Sequence, residues 1–224
     1  MTTIALIPAR GGSKGIPRKN ILAFCGKPLI QWSIDVALQS SLIDRVIVST
    51  DDLEISEIAL AGGAEVPFLR PEKFSTDIAP GISTVIHALE QIPDVSDLLL
   101  LQPTSPLRTS VDIDLIFEIR QQFGVESAVS VVRSPKHPAW MYFMNDMNLL
   151  SPVLKTGLAS CRQSLSSVFA LNGALYLASR SFLFREKSFL SDDTVGYVMP
   201  RVRSVDIDTP LDWQWGEFLM QHHR

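Results

Sequence analysis

The chain reads as an α/β protein with a mostly parallel sheet, and three observations say so. Short apolar runs alternate with longer stretches of helical spacing through most of the 224 residues. The run "LLLL" at 98–101 is apolar at every position, the pattern of a strand covered on both faces. A basic, glycine-rich turn follows the first apolar run, and open α/β sheets bind their ligands beyond the carboxyl ends of the strands.

Taken in order, strands are expected at 3–8, 45–50, 64–69, 98–102, 127–132 and 173–178, with helices at 28–40, 53–61, 81–92 and 110–123. In the first helix Leu29, Trp32, Ile34, Val36 and Leu38 form a broad apolar face suited to packing on a sheet. The rhythm loosens between about 134 and 171. That stretch reads either as a decorated surface excursion or as a partner surface. Its "WMYFM" and "SVFAL" patches would be a solubility liability on a monomer, so the expectation is an inserted dimerisation segment in a homodimer. The pattern returns at "GYVMP" and "SVDID" and closes on the helix "PLDWQWGEFLMQ".

Bulk composition narrows the classes. A hydrophobic content of 46% suffices for one sizeable core, so a single domain over 1–224 is expected. The formal net charge of -4 argues against a globally basic nucleic-acid binder, and any anion site must be a local concentration of charge. No apolar run approaches the roughly 18 residues of a membrane span. The start "MTTIALIPAR" places charge after a very short apolar run, unlike a signal peptide. Cys25 and Cys161 lie far apart and form no CxxC pair, which fits a reducing compartment. A soluble cytoplasmic protein with no membrane or nucleic-acid partner is expected.

The turn "IPARGGSKGIPRKN" carries the chemistry. Gly11, Gly12 and Gly15 supply backbone freedom, while Arg10, Lys14, Arg18 and Lys19 supply charge. Such a turn lets backbone N–H groups approach phosphates, with the following helix adding a favourable dipole. Close cations repel unless an anion joins them, and a nucleoside triphosphate would do so. Neither GxxxxGK[ST] nor GxGxxG is present, and a solvated surface loop is the bland alternative.

Other blocks end predicted strands with polar groups. In "LLQPTSPLR", Gln102 offers both donor and acceptor to a base or sugar, or else caps a rigid loop; Arg108 is open to a structural ion-pair role. Arg70 follows "VPFL" and serves either an ion pair or an anion, and Asp77 is placed to cap the next helix. In "SVDIDTPLDW", Asp206 and Asp208 are two apart in an extended run, so both carboxylates project to one side with Val205 and Ile207 opposite. Two hard oxygen ligands on one face suit Mg²⁺; one of them could instead cap the last helix, a role Thr209 could also fill. No histidine is placed as a general base.

The full string "IPARGGSKGIPRKN" with "GKPLI", followed in order by "VIVSTDD", "EVPFLRPEKFSTD", "LLQPTSPLR", "NGALY" and "SVDIDTPLDW", resembles the acylneuraminate cytidylyltransferases, the CMP-nonulosonic acid synthetase family. That resemblance implies a Rossmann-like sheet of the nucleotide-diphospho-sugar transferase type. It implies transfer of CMP from CTP to a nine-carbon 2-keto sugar acid with release of pyrophosphate, aided by Mg²⁺ or Mn²⁺. It assigns CTP to Ala9, Arg10, Gly11, Gly12, Ser13, Lys14, Asn20 and Arg70, with Arg10, Lys14, Lys19 and Asp208 catalytic. The metal goes to Asp206 and Asp208, and the acceptor to Gln102, Arg162, Gln163 and Asn172, with Arg162 facing its carboxylate. The chain departs from familiar members at Gly81, Trp140, Ala170 and Leu171, where small or apolar residues replace polar ones. Those departures favour a deoxygenated acid such as legionaminic acid over sialic acid. A 3-deoxyoctulosonate cytidylyltransferase, a non-catalytic nucleotide-binding regulator and a structural interaction protein are the competing readings.

Overall fold

A computed structural model describes residues 2–13, 15–76, 79–154 and 165–222. Among the described residues the main sheet has six strands in the order β10 (Val195–Val198), β6 (Ser127–Arg133), β9 (Phe169–Ser179), β5 (Val95–Leu100), β1 (Thr2–Pro8) and β4 (Arg45–Ser49). β1 pairs in parallel with β4 and β5, and β10 with β6, while β9 runs antiparallel between β5 and β6. The sheet is mixed but mostly parallel.

Alternation along β1 explains the layers. Ala5 and Ile7 enter one core with α1 (Leu29–Leu38), α2 (Leu53–Ala61) and α4 (Ser110–Phe123). Ile4 and Leu6 enter the other with α3 (Gly81–Gln91) and α5 (Arg180–Glu186). Successive strand side chains point to opposite faces, and both faces are covered here, so the strand reads as a continuous apolar run. Each such aliphatic burial contributes about 1.5–3 kcal/mol before conformational entropy is counted.

A third, smaller core lies beside the carboxyl ends of the strands. It joins Ile16 of the basic turn and Phe24 of the ribbon β2 (Ala23–Phe24)–β3 (Lys27–Pro28) to Ile207 and to Leu219 of α6 (Pro210–His222). Apolar side chains from the basic turn and from the paired-aspartate segment thus share one packed cluster, which fixes the two loops relative to each other.

Three expectations are revised. The strand expected at 64–69 is reduced to two isolated bridges, Ile47 with Glu65 and Thr50 with Leu69; Pro67 has no N–H to donate and interrupts the ladder. The last predicted strand is longer, because β9 begins at Phe169, inside the stretch assigned to the excursion. α5, which follows β9 at once, starts where Ser179 caps Phe182 N and was not foreseen. Among the described residues of the excursion, β7 (Tyr142–Met144) and β8 (Leu150–Pro152) form a ribbon exposed at every residue. No described helix is long and apolar enough to cross a membrane.

Candidate active site

A cleft of about 630 Å³ opens at the carboxyl ends of β1 and β5. Arg10, Ser13, Gly15, Lys19 and Asn20 line it from the basic turn, Arg70 and Thr84 from the side, and Gln102, Thr104, Asp206 and Asp208 from the floor and far wall. Because β9 runs antiparallel, its amino-terminal half reaches this same edge, and Gly173 adopts a left-handed φ of 77° there. A Cβ at Gly173 would lie 3.1 Å from Gln102 Oε1, so glycine lets the strand pass close to that amide.

The basic turn is bound back onto the protein. Ala9 is fully buried and donates its N–H to Ser49 O at 3.0 Å. Gly11 N donates to Asp51 Oδ1 at 3.1 Å, and Asn20 Nδ2 donates to Arg10 O at 3.0 Å. Arg18, at φ 56°, turns to Asp52 and Glu54, and Lys19 Nζ donates to Ile207 O at 2.6 Å and Asp208 Oδ1 at 2.9 Å. Arg18 and Lys19 are therefore partnered by carboxylates of the chain, so mutual repulsion within the turn is not the reason for an anion here. Gly12 is exposed, and Lys14 lies outside the described residues.

Arg70 supplies a better reason. It is 6% exposed, and its Nε donates to Ser75 Oγ at 3.0 Å. Its Nη2 makes no hydrogen bond among the described residues and stands 3.7 Å from Asp51 Oδ1. Burial depresses its pKa, with Asp51 pulling the other way and Arg10 adding to the depression. A buried guanidinium that lines the cleft, and whose Nη2 reaches a carboxylate only at 3.7 Å, supplies positive charge for an anion there.

Val205 and Ile207 pack into the third core, while Asp206 and Asp208 project on the other side. Thr209 forms the helix cap: Asp212 Oδ2 accepts its N–H and hydroxyl, both at 2.7 Å, and Asp212 N donates to Thr209 Oγ1 at 3.3 Å. Neither Asp206 nor Asp208 is spent on capping. Burial raises the pKa of Asp206, opposed by Thr104 and Lys19 and reinforced by Asp208 and Asp212. Among the described residues no third carboxylate, imidazole or thiolate joins the pair. A hard divalent cation that keeps waters and phosphate oxygens as its other ligands fits this donor set.

Of the acceptor assignments, two lie outside the described residues and one changes. Arg162 and Gln163 lie outside the described residues, as do Cys161 and Asp77. Asn172 is turned inward: its Oδ1 accepts from Ser130 Oγ at 2.6 Å and its Nδ2 donates to Ser204 Oγ at 3.0 Å, so its amide is consumed in the interior and does not face the cleft. Gln102 does line the cleft. Of the four departures from the family pattern only Gly81 lines this cleft. Trp140 borders a separate depression with His137 and Arg201, and Ala170 and Leu171 pair with β6.

Two buried residues shape the site: Arg108, for which the sequence left a structural role open, and Asp112, which sequence reasoning missed. Arg108 is fully buried, and its guanidinium bridges Ala174 O and Gln102 O, both at 2.6 Å, and Ser33 Oγ. Burial pushes it down to about 9, with Asp112 opposing. It holds the ends of β5 and β9 at a fixed spacing. Asp112, also fully buried, closes a capping box with Thr109; the Thr-x-x-Asp spacing at 109–112 was the available signal.

Residues 4–139 match the family described as cytidylyltransferase. The chain is 39% identical over 228 aligned positions, covering 99% of it and 97% of the relative, to a CMP-N,N'-diacetyllegionaminic acid synthase of Legionella pneumophila. It is 36% identical over 215 positions to an N-acylneuraminate cytidylyltransferase of Streptococcus agalactiae, covering 95% of this chain and 52% of that longer protein. The solved structure of a CMP:2-keto-3-deoxy-manno-octonic acid synthetase complexed with CTP superposes with a TM-score of 0.74 at 18% identity, covering 100% of both chains, which is a likeness of fold. A cleft lined by a buried arginine, a basic turn and a pair of aspartates, on this sheet and at this identity, leads to one conclusion: the chain belongs to the cytidylyltransferase family and is a nucleotidyltransferase.

Proposed function

We propose that the protein transfers CMP from CTP to the anomeric hydroxyl of a nine-carbon 2-keto sugar acid, and that the acid is a deoxygenated one of the legionaminic type. The observation that carries the transfer is the shared cleft, where the basic turn and Arg70 face the carboxylates of Asp206 and Asp208. Arg10, Lys14, Lys19 and Arg70 bind the phosphates, together with backbone N–H groups of the turn at Gly12 and Ser13, while Ala9, Gly11 and Asn20 anchor the turn through their own hydrogen bonds. Asp206 and Asp208 hold Mg²⁺ or Mn²⁺, which supplies charge neutralisation at the phosphates. Lys19 is held between Asp208 and Ile207 O, which supports a role for its charge between the proposed metal and phosphate sites. Catalysis is then positioning and electrostatic stabilisation of an in-line displacement.

For the acceptor, Gln102 takes a sugar hydroxyl and Arg162 with Gln163 the carboxylate. Gly81 supports a less polar acid: it brings no side chain to the cleft it lines, and nothing described lies within 4 Å of where its Cβ would be. An unpartnered buried substrate hydroxyl costs about 1–3 kcal/mol, roughly ten-fold in specificity. The legionaminic acid synthase relative, aligned over nearly the whole chain, favours the same choice.

Pyrophosphate release from CTP should require an added nonulosonic acid, and kcat/KM should favour N,N'-diacetyllegionaminic acid over N-acetylneuraminic acid by about ten-fold or more. Release from CTP alone at the same rate defeats the transfer. A preference for N-acetylneuraminic acid defeats only the acceptor assignment.

A further inference from the structure

The segment that bears Asp206 and Asp208 has no regular secondary structure, yet it is fastened along its length. Ile207 N donates to Thr104 O at 2.8 Å, and Lys19 and Asp212 hold Asp208 from either side. Upstream, the fastening is of another kind, because it runs into the protein interior.

Arg203 donates through Nε and Nη2 to the two oxygens of Asp112, at 2.9 and 2.8 Å. Asp112 is 0% exposed, and the same carboxylate also accepts from Thr109 N, Thr109 Oγ1 and Tyr197 OH. A helix cap needs only the threonine contacts and normally sits in solvent. Here the capping carboxylate is sunk under β10 and its fork is matched to an arginine three residues before Asp206. The next residue, Ser204, takes the Asn172 amide, which is itself anchored to β6 through Ser130. The buried Asn172, unavailable to a substrate, thereby acquires a role.

We propose that the Asp112–Arg203 pair is a positioning device for the metal site: it fixes the backbone entering Asp206, with Asn172 locking the adjoining residue, and so sets the affinity for the divalent ion. The bidentate geometry fixes direction as well as distance, which a single contact would not. Residues that orient ligands without touching the metal commonly tune affinity by about ten- to a hundred-fold. This inference rests on the reading that Asp206 and Asp208 hold the ion.

The test uses the full chain with CTP and no sugar acid, reading the Mg²⁺ concentration that gives half of the CTP-induced rise in melting temperature. Arg203→Gln should raise that midpoint about ten-fold, with the full CTP effect regained at excess Mg²⁺, and Arg203→Lys should fall between it and the parent. Tyr197→Phe removes one donor from the same buried carboxylate and leaves the two-pronged Arg203–Asp112 contact in place, and its midpoint should stay within about two-fold even if its melting temperature drops. An unchanged midpoint in Arg203→Gln overturns the proposal, as does an equal shift in Tyr197→Phe, which would mean general loosening. If Arg203→Gln does not fold, an unchanged midpoint in Arg203→Lys overturns it. Asp208→Asn isolates the underlying reading: an unchanged midpoint there removes the metal site, and this proposal with it.

Discussion

At residue resolution, the basic turn shows how charge and backbone divide the work. Arg18 and Lys19 pair with carboxylates and so stiffen the loop, and a further guanidinium at the cleft, Arg70, comes from well outside the motif. The glycines divide in the same way. A Cβ at Gly15 would lie 2.1 Å from the Asp208 carbonyl oxygen, so glycine there lets the turn touch the aspartate segment, whereas Gly12 has nothing within 4 Å. Gly15→Ala should therefore abolish most of the CTP-induced melting shift in Mg²⁺ while Gly12→Ala retains most of it. Equal retention in both would show that the turn can move off Asp208 freely. The motif was legible in the sequence because its glycines and cations are contiguous. The Gly15–Asp208 contact was not, because nothing local links residues so far apart.

Elements were legible where their signal is periodic and opaque where it depends on pairing. Helices α1 to α4 follow the spacing of their apolar residues, and β1, β4 and β6 follow their apolar runs. The direction of β9 is a property of its neighbours β5 and β6, and no local pattern encodes it. α3 carries a further consequence. His87 is buried between Phe68 and Phe74, with ring centroids 5.1 and 4.9 Å away, and Phe74 lines the cleft. Burial depresses its pKa below 6.5; Lys73 and Arg70 act in the same direction and Glu90 against them. The unfolded chain then takes the proton first, so this contribution to stability is complete above the unfolded value and is lost as pH falls through the folded one. Between about pH 7.5 and 5.5, His87→Gln should lose less melting temperature than the parent. An equal loss in the two proteins would mean that His87 titrates normally in the fold.

At the scale of the whole molecule, the ribbon of β7 and β8 sets the problem. Phe143, Met144, Met147, Leu149 and Leu150 are each at least 60% exposed, and Trp140, Met141 and Tyr142 stand beside them. A two-stranded ribbon is marginal in water on its own, and this one is exposed along its whole length. Apolar patches of more than a few hundred Å² on a soluble protein mark contact surfaces. A second copy of the chain is the simplest occupant, since closed two-fold dimers are the commonest assembly. Light scattering at micromolar concentration should give twice the mass of one chain. The double variant Phe143→Glu, Met144→Glu should give a single-chain mass, because it would bring like charges together across a two-fold contact. The cleft residues named above all lie outside the ribbon, so the dissociated variant should keep a CTP-induced melting shift. A single-chain mass for the unsubstituted protein would overturn the dimer and leave the exposed ribbon for a different partner.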